Sequence, residues 1–179
     1  WIIDAEDTLM DFSELSHQTE IRDSLDKILS EHCSQERLNQ YDQNFKHDED
    51  LLSLLSSNGF LGLGLNEKYG GSGENLYDLG ILFERLGYHA APLSLSGCLA
   101  DVAQTIQKFS NEESCNEILG SIIAGEIYTS AILEPANQDP ESPITTAEIE
   151  NNQVVITGTK YLSEIASIAK RILISASSN

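Results

Sequence analysis

The sequence predicts an α+β protein, an N-terminal all-α helical bundle followed by an incomplete β-domain. Three observations lead there. Apolar residues recur at helical spacing through the first two thirds, and near Gly125 the period changes to short runs rich in β-branched residues. The chain is also 40% hydrophobic over 179 residues, enough for a packed core. At about 150 residues per domain, that length fits one domain or one plus part of a second.

The first helix is expected over residues 17–33, where Ile21, Leu25, Ile28 and Leu29 form one stripe with charged residues opposite. A second should start at Asp48, a good N-cap, carry Leu51, Leu52, Leu54 and Leu55, and stop at Asn58-Gly59. The third carries Leu76, Leu79, Phe83 and Leu86 and ends at Gly87. The fourth follows Pro92 with Leu95, Leu99, Val102, Ile106 and Phe109 on one stripe. The fifth opens on the capping-box pattern Ser110-x-x-Glu113 and bears Ile118, Leu119, Ile122 and Ile123 before Gly125. Five helices on short loops make a bundle.

Strands are expected at 127–133, 145–149, 154–157 and 172–175, punctuated by Gln138-Asp139-Pro140 and Asn151-Asn152. Three or four strands leave sheet edges unpaired, which predicts a β-domain that needs more chain or a partner to close. The expected organisation is a leader or upstream remnant at 1–9 before the only methionine, Met10, a helical domain at 10–125 and the beginning of a β-domain at 126–179.

Charge excludes a nucleic-acid partner. The 29 acidic and 10 basic residues leave a net charge of −19, and no stretch is basic: 14 acids face 4 bases in residues 1–60, then 8 face 3, then 7 face 3. No membrane span is expected, because the uncharged run between Arg85 and Asp101 is short and interrupted by His89 and Pro92. Cys33, Cys98 and Cys115 are an odd set without CxxC spacing, which points away from a disulfide framework or a zinc site. A reducing, cytoplasmic compartment is the simplest reading.

Several motifs carry no chemistry by themselves. Gly59-x-x-Gly62-x-Gly64 and Gly70-Gly71-Ser72-Gly73 lack the preceding strand and the GK[ST] of a phosphate loop, and read as turns that let helices pack closely. Gly71-Ser72-Gly73 is too short for a GxSxG nucleophile elbow. His17, His32, His47 and His89 show no metal-ligand spacing and are assigned to the surface or core. Among so many carboxylates no acid/base pair stands out; Glu126 and Glu134, flanking the first strand, are expected to be solvated or capping.

The order of short motifs goes further. Asn58-Gly59-Phe60-Leu61-Gly62-Leu63, then Asn66-Glu67-Lys68-Tyr69-Gly70-Gly71-Ser72-Gly73, resembles the signature loop of the acyl-CoA dehydrogenase family. Phe83-Glu84-Arg85-Leu86-Gly87 and Ala91-Pro92 continue it. Gly125-Glu126 leading to Ala131-Ile132-Leu133-Glu134-Pro135 is similar to the start of that family's β-domain, and Thr157-Gly158-Thr159-Lys160-Tyr161 with Ala166 and Ala169 to its next segment. The resemblance runs from Met10 to Asn179.

It implies a helical domain, a middle β-domain and a C-terminal four-helix domain, with FAD as cofactor and an acyl thioester, on coenzyme A or a carrier protein, oxidised between its α and β carbons. The family's base is a glutamate in or near the C-terminal domain, so no catalytic residue is assigned among these 179. Ser130, Ile132, Leu133, Leu162 and Ser163 fall at flavin-contacting positions, and Tyr69, Leu95, Leu99 and Asp139 at positions expected to meet substrate. Family habit and an unfinished sheet both imply a homo- or hetero-oligomer, a dimer or tetramer.

Departures concentrate on the flavin segments. The family's first reads an aromatic, two residues, then Thr-Glu-Pro-x-Ala-Gly-Ser-Asp. Here Ser130 replaces the aromatic, Leu133 the threonine, and Ala136-Asn137-Gln138-Asp139 the small turn. Leu133 cannot donate, a loss worth roughly 0.5–1.5 kcal/mol. The second segment, Lys-x-aromatic-Ile/Val-Thr-Asn-Ala in the family, is Lys160-Tyr161-Leu162-Ser163-Glu164-Ile165-Ala166, without the aromatic and with a carboxylate near an anionic cofactor. Two functions follow: an FAD-dependent acyl-thioester dehydrogenase, or a non-catalytic, dehydrogenase-like subunit that completes a partner's site.

Overall fold

The computed structural model describes residues 13–44, 47–73, 75–135, 137, 139–151 and 153–178. The leader expected at 1–9 and Met10 lie outside them, as do Ala136 and Gln138 of the altered turn.

Helix α1 spans Ser16–His32 and buries Leu25 and Leu29 against α4, Leu76–Tyr88. Gln18 joins the two helices through a buried hydrogen bond from its Nε2 to Asp78 Oδ1 at 2.9 Å. Helix α3, Glu49–Ser57, starts as its cap residue requires: the Asp48 carboxylate accepts from the Leu51 N–H at 3.0 Å. It ends at Gly59, whose φ of 80° is left-handed, and two 3-10 turns, Phe60–Gly62 and Glu67–Tyr69, carry the glycine-rich loop across the bundle. That loop needs its glycines for close approach. A Cβ at Gly71 would lie 2.1 Å from the Leu65 carbonyl oxygen.

Three helical expectations are corrected. Helix α2, Gln35–Asn44, was not expected, because its polar sequence QERLNQYDQN offers no apolar stripe; Arg37 instead pins it to Asp48 at 2.9 Å. The fourth helix does not run on from Pro92. It begins at Ser96 as a π-type helix, Ser96–Ala103, and becomes α5 at Gln104–Phe109. Pro92 is spent on the connection, its carbonyl accepting from the Asp48 N–H at 3.2 Å. Helix α6, Glu112–Ile123, is capped by Asn111, which accepts from the Ser114 N–H at 2.9 Å, one residue past the expected Ser110.

Beyond Gly125 (φ 97°) the chain forms two small sheets. Strand β1, Tyr128–Ala131, pairs in parallel with β4, Arg171–Ile174, in the register Tyr128 opposite Arg171 through Ala131 opposite Ile174. Strands β2, Thr146–Glu150, and β3, Gln153–Thr157, form an antiparallel hairpin. Ser177, just past β4, exchanges backbone bonds of 2.8 Å with Thr145 and Ala147 and so links the sheets. Strand β1 packs on the π-type helix, which joins β-segment to bundle. Every described residue of β3 is exposed, including Val154, Val155 and Ile156, the open apolar face expected of a partial sheet. No described helix is long and apolar enough to cross a membrane.

Candidate functional site

The two β-segments singled out above meet the N-terminus of the π-type helix around a cavity of about 460 Å³. Its walls are Ser96, Gly97 and Asp101 from the bundle, Ser130, Ile132, Leu133 and Pro140 from the first segment, and Tyr161, Leu162 and Glu164 from the second. Four of the five expected flavin-contacting residues therefore share one cavity. Ser163, the fifth, turns inward and donates to the Ser130 carbonyl at 2.7 Å.

The scaffold behind this cavity is a buried polar brace. Glu134, 6% exposed, accepts from the Ile144 and Thr145 N–H groups, both at 2.7 Å, from Asn137 at 3.1 Å and from the Lys160 ammonium at 2.9 Å. Lys160 also donates to the Ile132 carbonyl at 3.1 Å and to the Ser175 hydroxyl at 2.9 Å. The Thr145 side chain, the Ile144 and Thr145 N–H groups and Lys160 hold the Glu134 carboxyl far below the usual carboxylate range against the opposing pull of burial. The expectation of a solvated or capping Glu134 is thus corrected. Apart from Asn137, its partners lie ten or more positions away, and no local pattern announces them.

The cavity side is anionic. Ser130 Oγ donates to Asp101 Oδ2 at 2.5 Å. Glu164 accepts from Ser94 Oγ at 2.8 Å, from Ser96 Oγ at 2.8 and 3.0 Å, and from the Gly97 N–H at 3.2 Å. Burial pulls the Glu164 carboxyl upward, but these donors outweigh it and leave the group ionised below its ordinary range. Local spacing does not single out Asp101 or the Ser94, Ser96, Gly97 cradle. The Ser-x-Ser-Gly string before an apolar run is a helix-start signal that Pro92 obscured.

The residues expected to meet substrate are not gathered. Leu95 and Leu99, 2% and 1% exposed, belong to the bundle core, although Leu95 also edges a neighbouring cavity with Phe83 and Leu86. Tyr69 is half-buried on the 3-10 turn, under the Lys68 ammonium at 5.3 Å. Asp139 is exposed and closes a local turn, accepting from the Glu141 N–H at 3.0 Å. Among the described residues no group of three His, Cys, Asp or Glu side chains is placed to hold a metal.

Residues 16–126 match the acyl-CoA dehydrogenase N-terminal domain. The chain belongs to the acyl-CoA dehydrogenase family. It is 28% identical over 132 residues to the acyl-CoA dehydrogenase FadE12 of Mycobacterium tuberculosis, an alignment that covers 72% of this chain and 34% of that protein. Among solved structures it is similar to a steroid acyl-CoA dehydrogenase, the Tcur3481-Tcur3483 G363A variant, with TM-score 0.83, 29% identity, and coverage of 90% of this chain and 45% of that one. The ChsE4-ChsE5 complex of M. tuberculosis has the same fold, with TM-score 0.85 at 20% identity, over 95% of this chain and 46% of that one. The chain thus spans about a third of the curated relative and under half of the solved ones.

FAD is the cofactor of the acyl-CoA dehydrogenase family, and the side chains on the walls of this cavity do not fit it. A flavin needs donors turned toward its ring oxygens and nitrogens, and its pyrophosphate needs N–H groups or positive charge. The hydroxyls of Ser130 and Ser163 are spent on protein acceptors, and Leu133 has none to give. Lys160, the cation closest in sequence to these walls, is consumed by the brace behind them. The charged groups that do line the cavity, Asp101 and Glu164, are both acids.

Proposed function

We propose that the protein serves the α,β-oxidation of an acyl thioester as a non-catalytic subunit of a dehydrogenase-family assembly, paired with a chain that carries FAD. One observation carries this reading: the brace of Glu134 and Lys160 keeps the family's two flavin segments in place, while Ser130 and Ser163 turn their hydroxyls onto protein. The bundle would then wall an acyl tail and support a partner's site, Leu95 through the cavity that it edges with Phe83 and Leu86. A net charge of −19 supports the same division of labour, because it repels coenzyme A and carrier-protein thioesters from a lone subunit.

The second reading, a self-contained FAD-dependent dehydrogenase, is supported by the family itself and by the retained loop from Asn58 to Gly73. Turnover separates them. The purified protein, alone and with the subunit that copurifies, would be incubated with acyl thioesters and an artificial electron acceptor, and the product sought two hydrogens lighter by mass spectrometry. The proposal expects desaturation by the assembly and none by this chain. Desaturation by this chain with added FAD would favour the self-contained enzyme.

A further inference from the structure

The geometry points to Glu164 as a built-in latch that ties the second β-segment to the bundle and keeps an anionic dinucleotide out of the cavity between them. This deepens the subunit reading above and rests on it. Glu164 reaches from the segment to the bundle with a charged group. Its two carboxylate oxygens take the Ser94 and Ser96 hydroxyls and the Gly97 N–H, so they cover the start of the π-type helix, where unpaired N–H groups would otherwise favour an incoming phosphate or ring oxygen.

The backbone around the latch indicates that these contacts set its conformation. Leu162 and Ile165 bracket Glu164 with φ of 56° and 42°, a left-handed geometry that branched and bulky side chains rarely adopt without compensation. Gly97 completes the fit. A Cβ there would lie 3.0 Å from Thr129 Oγ1, so bare backbone lets the helix start sit close to β1, with the Gly97 N–H 3.2 Å from the Glu164 carboxylate. Asp101, bound to Ser130 on the bundle wall of the same cavity, adds a second negative charge. An FAD entering there would displace one carboxylate from three donors and lie beside another, with no cation among the lining residues to offset either.

The test is a titration of the purified protein with FAD, followed by flavin fluorescence, for the wild type and for Glu164→Thr and Glu164→Gln. The wild type is expected to show no saturable binding, and Glu164→Thr to gain at least about tenfold in affinity through loss of the charge and the latch. Hydrogen exchange at the Gly97 amide is expected to quicken in both variants. Saturable binding of one FAD per wild-type chain would overturn the proposal. So would a folded Glu164→Thr with no gain in affinity; if that variant does not fold, as judged by circular dichroism, the isosteric Glu164→Gln decides by the same criterion. Saturable binding by the wild type would count against both the latch and the subunit reading, whereas a folded variant with no gain in affinity fails the latch alone and leaves the turnover test of the assembly standing.

Discussion

Lys160 and Glu134 lie 2.9 Å apart with side chains 9% and 5% exposed, a buried ion pair that fastens the second β-segment onto the end of the first. Around it the Ile144 and Thr145 N–H groups saturate the carboxylate, and the Ile132 carbonyl and Ser175 hydroxyl saturate the ammonium. A buried pair supplied with this many partners is a rigid fixture, because each group left alone would carry an uncompensated charge.

Lys160→Met removes the cation and strands Glu134. Thermal denaturation should show Tm lower by roughly 5–10 °C, the scale expected when a buried charge loses its partner in a domain of this size. The double variant Lys160→Met with Glu134→Gln should recover part of the loss, since neither charge then remains to be buried. An unchanged Tm in the single variant would place the pair in solvent.

Acid should unfold the protein through its paired carboxylates. Glu134 is held down by Thr145, Ile144 and Lys160; for Asp48 and Asp26, burial pulls upward but is outweighed, by Arg37 and the Leu51 N–H in one and by His89 and Arg85 in the other. All three have folded values below their ordinary 4.5 or 3.8. Their contribution is therefore complete above those ordinary values and is lost as pH falls through the lower folded ones. Denaturant midpoints measured between pH 7 and pH 3 should be flat at first and then drop. Asp48→Ala should flatten part of that drop and cost about 0.5–2 kcal/mol at neutral pH through the lost N-cap.

The glycines separate by what surrounds them. Gly71→Ala drives a methyl into the Leu65 backbone and should destabilise by about 2 kcal/mol or more. Gly70→Val should also destabilise, because φ is 90° there, by about 1–2 kcal/mol. Gly80, inside α4 with nothing within 4 Å of a built Cβ, is the opposite case, and Gly80→Ala should stabilise by about 0.5–1 kcal/mol. Chemical denaturation reads all three.

Much of this fold is legible in the sequence because its elements carry their own periodicity. Helices α1, α3, α4 and α6 each bury a leucine or isoleucine stripe, and the four strands fall within a few residues of the β-branched runs. Helix α2 lacks such a stripe and is held by Arg37 reaching Asp48, eleven residues away. The site is less legible for the same reason. Ser130, Ile132, Leu133 and Leu162 follow from the order of motifs, whereas the partners of Glu164 lie sixty-seven to seventy residues upstream. Reading Glu164 only as a charge near a cofactor overlooks that local spacing says nothing about which donors a fold brings to it.

The most direct measurement is the number of flavins bound per copy of this chain in the protein as purified, from the visible absorption of released FAD against protein concentration. A chain that keeps the Glu134–Lys160 brace but closes its flavin side with Glu164 and Asp101 should carry none, so that any flavin present is accounted for by a partner. One FAD for every copy of this chain would contradict that, and would make the cavity beside Leu133 and Leu162 a working flavin site.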